Sequence, residues 1–220
     1  MRDVETDAIF EARYDFTSAA RHLRMPRSTL AAWARGQGEF RRVLDLPRAG
    51  FLSFVNLTEA FVLLAMRRRY NVTLPRIRDA VSYVEQQTGI KHPLAFQQFR
   101  TDHVDLFIAT ALGDLNASQR GQTRMDSVPH DLDRIEWRGE RPIALFPVAP
   151  HRDASEIRPI RISPLVAFGR PVLTGTRIPT LVVFDRFSAG ESVRDLADDF
   201  GISEDAIEEA VRAESSPTAA

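Results

Sequence analysis

Cysteine is absent from the 220 residues. That excludes disulfides and any cysteine-held zinc site. No apolar run approaches the roughly 20 residues needed to cross a bilayer, and Met1-Arg2-Asp3-Val4-Glu5 lacks the basic-then-apolar layout of a secretory leader. A cytoplasmic chain without membrane contact is expected. The patterns of catalysis are missing too: no nucleophile–base–orienter set and no zinc spacing. Gly169 and Gly175 are not followed by the lysine of a phosphate loop. A non-enzyme without cofactor or metal is expected. His92, Asp102, His103 and Asp105 come nearest to a ligand set, with His103 and Asp105 alternating as on one strand face, but no further carboxylate cluster accompanies them.

Lysine is almost absent as well: of 29 basic residues only Lys91 is a lysine, and 30 acids bring the net charge to −1. That near-neutrality hides a polarity. Residues 1–100 carry 15 Arg and one Lys against 10 acids, net +6, whereas residues 101–220 carry 13 Arg against 20 acids, net −7. The stretch 21–78 holds 12 Arg against Glu39, Asp45 and Glu59. A basic front suits phosphates and an acidic rear does not, so two surfaces with different partners are expected.

The front has helix–turn–helix spacing. Tyr14 to Leu23 reads as a short helix capped by Thr17 or Ser18. Arg24-Met25-Pro26 makes a turn, and Arg27 to Arg35 forms a second helix stopped by Gly36. Leu30, Trp33 and Ala34 fall on its core side. Arg27 and Ser28, in its first turn, are the candidates for base edges. Arg24 and Arg35 are candidates for phosphates. Glu39–Leu44 and Phe51–Leu52 are expected to pair as a wing lined by Arg41, Arg42 and Arg48. Ser53 caps a longer helix to about Arg69, with Leu57, Phe61, Leu64 and Ala65 inward, and Ile77, Ala80, Val81 and Val84 stripe another that ends at Gly89.

Residues 91–152 lose the helical period. Val104–Ala109, Ile135–Trp137 and Ile143–Phe146 read as strands, and Asp114–Asp126 as a loop. Beyond them Gly169-Arg170-Pro171 and Gly175-Thr176-Arg177-Ile178-Pro179 shape an arginine-bearing loop. A helix from about Thr180 to Ala189 should turn Leu181, Phe184 and Phe187 inward. A second helix pair follows, with Val193, Leu196, Ala197, Ile202, Ile207, Ala210 and Val211 as its seam. Asp198, Asp199, Glu204 and Glu208 on this pair would repel DNA, so a protein-facing or merely solvated surface is expected there.

The front, through Val72-Thr73-Leu74-Pro75-Arg76-Ile77-Arg78 and His92-Pro93-Leu94, resembles the winged helix–turn–helix of MerR-type regulators, and more closely the DNA-binding domain of VapB-type antitoxins. The stretch Ile162–Ala213, through the glycine and proline motifs above and Gly190-Glu191, resembles the DUF433 domain. The resemblance implies a mainly α fold with small β elements (α+β): a winged helix–turn–helix over 1–90, a β-rich connector over 91–152, a three-helix DUF433-type antitoxin domain over 153–213 and a disordered tail over 214–220. It implies an antitoxin that represses its own operon through Arg24, Arg27, Ser28, Arg35, Arg41 and Arg42, bound to operator DNA as a homodimer. It also implies a PIN-domain, VapC-type ribonuclease toxin as partner, met by Arg170, Arg177, Asp198, Asp199, Glu204 and Glu208. The rival is a stand-alone transcriptional regulator whose acidic domain dimerises or contacts another protein.

Overall fold

The computed structural model describes residues 8–36, 42–70, 72–97, 132–147 and 158–215. Arg41, the strand expected over 104–109, the loop over 114–126, Asp102, His103, Asp105 and the end of the tail lie outside them. The described part is an α+β fold. Helices carry most of it, and three two-stranded antiparallel sheets join them.

Strand β1 (Tyr14–Asp15) leads straight into helix α1 (Phe16–His22). The cap is Asp15, whose Oδ1 accepts from the Thr17 and Ser18 amides at 2.7 and 2.9 Å. The helix therefore starts two residues later than Tyr14, and neither Thr17 nor Ser18 caps it. Helix α2 (Arg27–Arg35) follows a turn whose pivot, Arg24, has φ of 50°. Strand β2 (Phe51–Leu52) pairs with β1, Tyr14 opposite Leu52. The expected partner was Glu39–Leu44. Its described residues, 42–44, form no strand, and the Val43 and Leu44 amides instead close onto the Trp33 carbonyl.

Helix α3 (Phe54–Tyr70) is the centre of the molecule. Ser53 and Asn56 cap it reciprocally: Ser53 Oγ accepts from the Asn56 amide and Asn56 Oδ1 from the Ser53 amide, each at 3.2 Å. Every residue from Ser53 to Leu63 is buried, so this helix is enclosed on all sides and does not show a single inward stripe. Leu64 and Ala65, expected inward, are half-buried. Helix α4 (Leu74–Thr88) buries Ile77, Ala80, Val81 and Val84 as expected and ends at left-handed Gly89. Leu94 and Ala95 of a 3₁₀ turn, then Leu132, Ile135 and Leu145, extend the same core.

Strands β3 (Ile135–Arg138) and β4 (Arg141–Leu145) form a hairpin with an irregularity between Glu136 and Trp137. Leu145 and Ile162 exchange both backbone hydrogen bonds, which ties the hairpin to the next segment. There β5 (Ile160–Arg161) pairs with β6 (Val172–Leu173). Helices α5 (Thr180–Ser188), α6 (Val193–Phe200) and α7 (Glu204–Ser215) close a second, smaller core of Leu173, Val183, Leu196, Ala197, Ile207 and Ala210. Val193, Ile202 and Val211 pack against it, so the α6–α7 seam lies where the periodicity placed it. The face of α5 does not. Thr180 and Val183 are inward, while Leu181 and Phe187 are 47% and 39% exposed. Thr180 is held in by a hydrogen bond from its hydroxyl to Glu214, a polar tether that hydrophobic spacing does not register.

Candidate nucleic-acid and partner interfaces

On α2, Leu30, Trp33 and Ala34 are buried. Arg27, Ser28 and Arg35 are exposed and fall within an arc of about 100° at 100° per residue. The Arg35 guanidinium lies 5.1 Å from the centre of the Phe16 ring, which fixes its direction without removing its donors from solvent. These three form one open, cationic helix face. Arg42 is exposed but pairs with Asp45 at 2.6 Å.

Arg24 faces elsewhere. Its guanidinium sits 3.9 Å from the Glu209 carboxylate, and Arg21 lies 3.6 Å from Glu214. Helix α7 thus packs its acids on α1 and the turn. The acidic rear does not stand away from the basic front: part of it closes over that front. The charge polarity of the sequence is in part internal complementarity between residues far apart along the chain.

The same seam holds His22, whose ring meets Tyr14 edge-on at a centroid distance of 6.1 Å. Burial, aided by Arg21 and opposed by Asp15, pulls its pKa down to about 4. The unfolded value is about 6.5, so the folded chain excludes a proton that the unfolded chain takes up between those limits. The contribution of His22 to stability is complete above about pH 6.5 and falls as pH drops towards 4, by up to about 3 kcal/mol. We expect Tm to decline across that window and His22→Gln to flatten the decline. A wild-type and a variant profile that run parallel would overturn the assignment.

In the C-terminal unit Arg170, Arg177, Asp198, Asp199, Glu204 and Glu208 are all exposed. They are not equivalent. Asp199 pairs with Arg186, and Glu208 with Arg212 at 3.6 Å. Arg170 and Arg177 have no ion pair among the described residues.

Two features escaped the sequence. Glu59, on α3, is 3% exposed. Its Oε2 lies 3.0 Å from His92 Nδ1 and accepts from Asn56 Nδ2 at 3.2 Å. His92 therefore partners a buried carboxylate, and no group of metal-ligating side chains occurs among the described residues. Beside it opens a cavity of about 500 Å³ lined by Arg42, Asp45, Arg78, Glu85 and Lys91. Its charges are mixed, so they select no single ligand charge. The second feature is Gly169, seated on Tyr14 and Arg13. A Cβ there would come within 2.5 Å of Tyr14 Oη. Only its motif partners Arg170 and Pro171 hinted at it.

Residues 160–212 match the family described as "Protein of unknown function (DUF433)", the region of β5 through α7. Over most of its length the chain is similar to a Mycobacterium tuberculosis protein named "Putative antitoxin VapB45", 28% identical over 91% of this chain and 92% of that one. It is also similar to the X-ray crystal structure of Rv2018 from Mycobacterium tuberculosis: TM-score 0.72, 25% identity, covering 91% of this chain and 98% of that one. No described helix is long and apolar enough to cross a membrane.

Proposed function

We propose that this chain is an antitoxin that reads operator DNA with α2 and engages a toxin through its C-terminal unit. The toxin expected is a PIN-domain ribonuclease of the VapC type. The observation that carries the DNA half is the open face of Arg27, Ser28 and Arg35 above a buried Leu30–Trp33–Ala34 floor. The likeness to an antitoxin along nine-tenths of the chain supports the other half. The first turn of α2 enters the major groove, where Arg27 and Ser28 meet base edges and Arg35 a phosphate. A dimer would set two such helices about one DNA turn apart.

Arg27→Ala is expected to cost about 1–3 kcal/mol in operator binding and to relax sequence preference. Arg35→Ala should weaken all DNA alike and reduce the salt slope by about 1. Gel-shift titrations at several salt concentrations measure both. Unchanged operator affinity in both variants would refute this placement of the reading helix. For the partner half, the product of the neighbouring gene is expressed with and without this chain. Growth arrest that this chain relieves is the expected result.

A further inference from the structure

We infer that Leu165, Phe168, Leu181 and Val182, flanked by Arg170 and Arg177, are the docking surface for a second protein that presents carboxylates around an apolar socket, with Phe168 as the anchor. The inference rests on the antitoxin reading and says which face of the C-terminal unit does the binding.

Phe168 is 86% exposed, so its ring gains almost nothing from the fold. Yet its backbone is left-handed, φ 56° and ψ 36°, between Ala167 at φ 46° and Gly169 at φ 78°. L-residues disfavour that region, and a bulky side chain there marks a constraint from outside the local sequence. The loop is nevertheless pinned. The Gly169 amide donates to Val166 O at 2.9 Å, the Arg170 amide to Ala167 O at 3.2 Å, and Gly169 rests on Tyr14. A rigidly presented aromatic loses little entropy on binding, which is the property of an anchor.

The surroundings complete a surface. The Thr180 amide donates to Pro171 O at 3.0 Å and Val172 bridges Pro179. The loop's exit is thereby held beside the first turn of α5, where Leu181 and Val182 stand exposed, and Leu165 is exposed at the loop's entry. Arg186 and Arg212 of the same unit are satisfied by Glu191, Asp199, Glu208 and Glu209. Arg170 and Arg177, one on each side of Pro171–Thr176, are left for an external carboxylate. A second copy is the poorer occupant. Two-fold pairing of this patch would gather arginines of both copies, and pairing it with the acidic face of another copy would be head-to-tail and need not close.

The test uses the full chain, the purified product of the neighbouring gene as probe, and titration calorimetry. Phe168→Gly removes the ring and suits the left-handed backbone. It should leave Tm and operator binding unchanged or improved while weakening the probe's binding at least tenfold. Leu181→Glu and the pair Arg170→Glu with Arg177→Glu should weaken it as well. Wild-type binding that Phe168→Gly leaves intact overturns the inference alone. No binding by the wild-type chain overturns the proposed function and this inference together. Loss of a homodimer in Phe168→Gly, seen by sedimentation, would assign the patch to a second copy and overturn the choice of partner.

Discussion

Glu59→Ala should lower the stability of the chain by about 3 kcal/mol, a fall in Tm of roughly 6–12 °C for a chain of this size. Glu59 lies inside the helix that the rest of the front unit surrounds. Its Oε2 serves His92 and Asn56 together, and Asn56 in turn caps α3 and donates to the Asp45 carbonyl at 2.9 Å. Truncation leaves a half-buried imidazole without its carboxylate and the buried Asn56 amide with one acceptor fewer, together with a cavity in a packed core. The pH dependence identifies the charge. Burial alone would disfavour the His92 cation, yet the hydrogen bond from Glu59, the charge of Glu59 and those of Asp45 and Glu85 outweigh it and raise its pKa. A raised histidine pKa gives stability that is fully present below the unfolded value of about 6.5 and is lost as pH rises through the folded value. Glu59→Gln should therefore cost more at pH 6 than at pH 9, measured by urea denaturation. Equal costs at the two pH values would mean that the pair is not ionic.

The two histidines pull against each other. His22 destabilises the fold as pH falls, because its site favours the neutral ring. His92 stabilises it in full throughout that window and gives up its contribution only as pH rises above about 6.5, because its site favours the cation. Neither was legible in the sequence. Nothing near His22 marks it as the residue that meets the Tyr14 ring, and nothing near His92 points to a carboxylate on a different element.

What the sequence did reveal was local. Leu30, Trp33 and Ala34 on α2, Ile77 to Val84 on α4 and the α6–α7 seam all follow from a 3.6-residue period, which needs only neighbours along the chain. Failures came where a distant segment decided the outcome. Phe51–Leu52 had a strand's composition but no signal for Tyr14–Asp15 as its partner. Helix α3 was read as one-sided, and the stripe of Leu57, Phe61, Leu64 and Ala65 left out the polar Asn56, Thr58 and Glu59. All three are buried and hydrogen-bonded. For α5, Thr180 took an inward position that Leu181 seemed better suited to fill. Among the candidate site residues, Arg27, Ser28 and Arg35 are brought together as the spacing of α2 requires. Arg24, the other phosphate candidate, lies instead 3.9 Å from Glu209, 185 positions away in the sequence and beyond the reach of local spacing.

Gly169→Ala should cost about 3 kcal/mol. Roughly 1–2 kcal/mol comes from placing a Cβ at φ 78°. The rest comes from pushing that Cβ against Tyr14 Oη at 2.5 Å and Arg13 Cδ at 2.7 Å. Arg13 Cδ sits in a flexible side chain, but Tyr14 is 4% exposed and held by the β1–β2 pairing, so it cannot swing away. The strain must open the contact between the front unit and the DUF433-like unit. Tyr14→Phe supplies the control. Its hydroxyl is buried with no hydrogen-bond partner among the described residues, so losing it alone should change Tm little. In combination it removes the nearest clash and should recover part of what Gly169→Ala loses, a coupling of about 0.5–3 kcal/mol in a double-mutant cycle. Strict additivity would mean that the two units do not meet at this point.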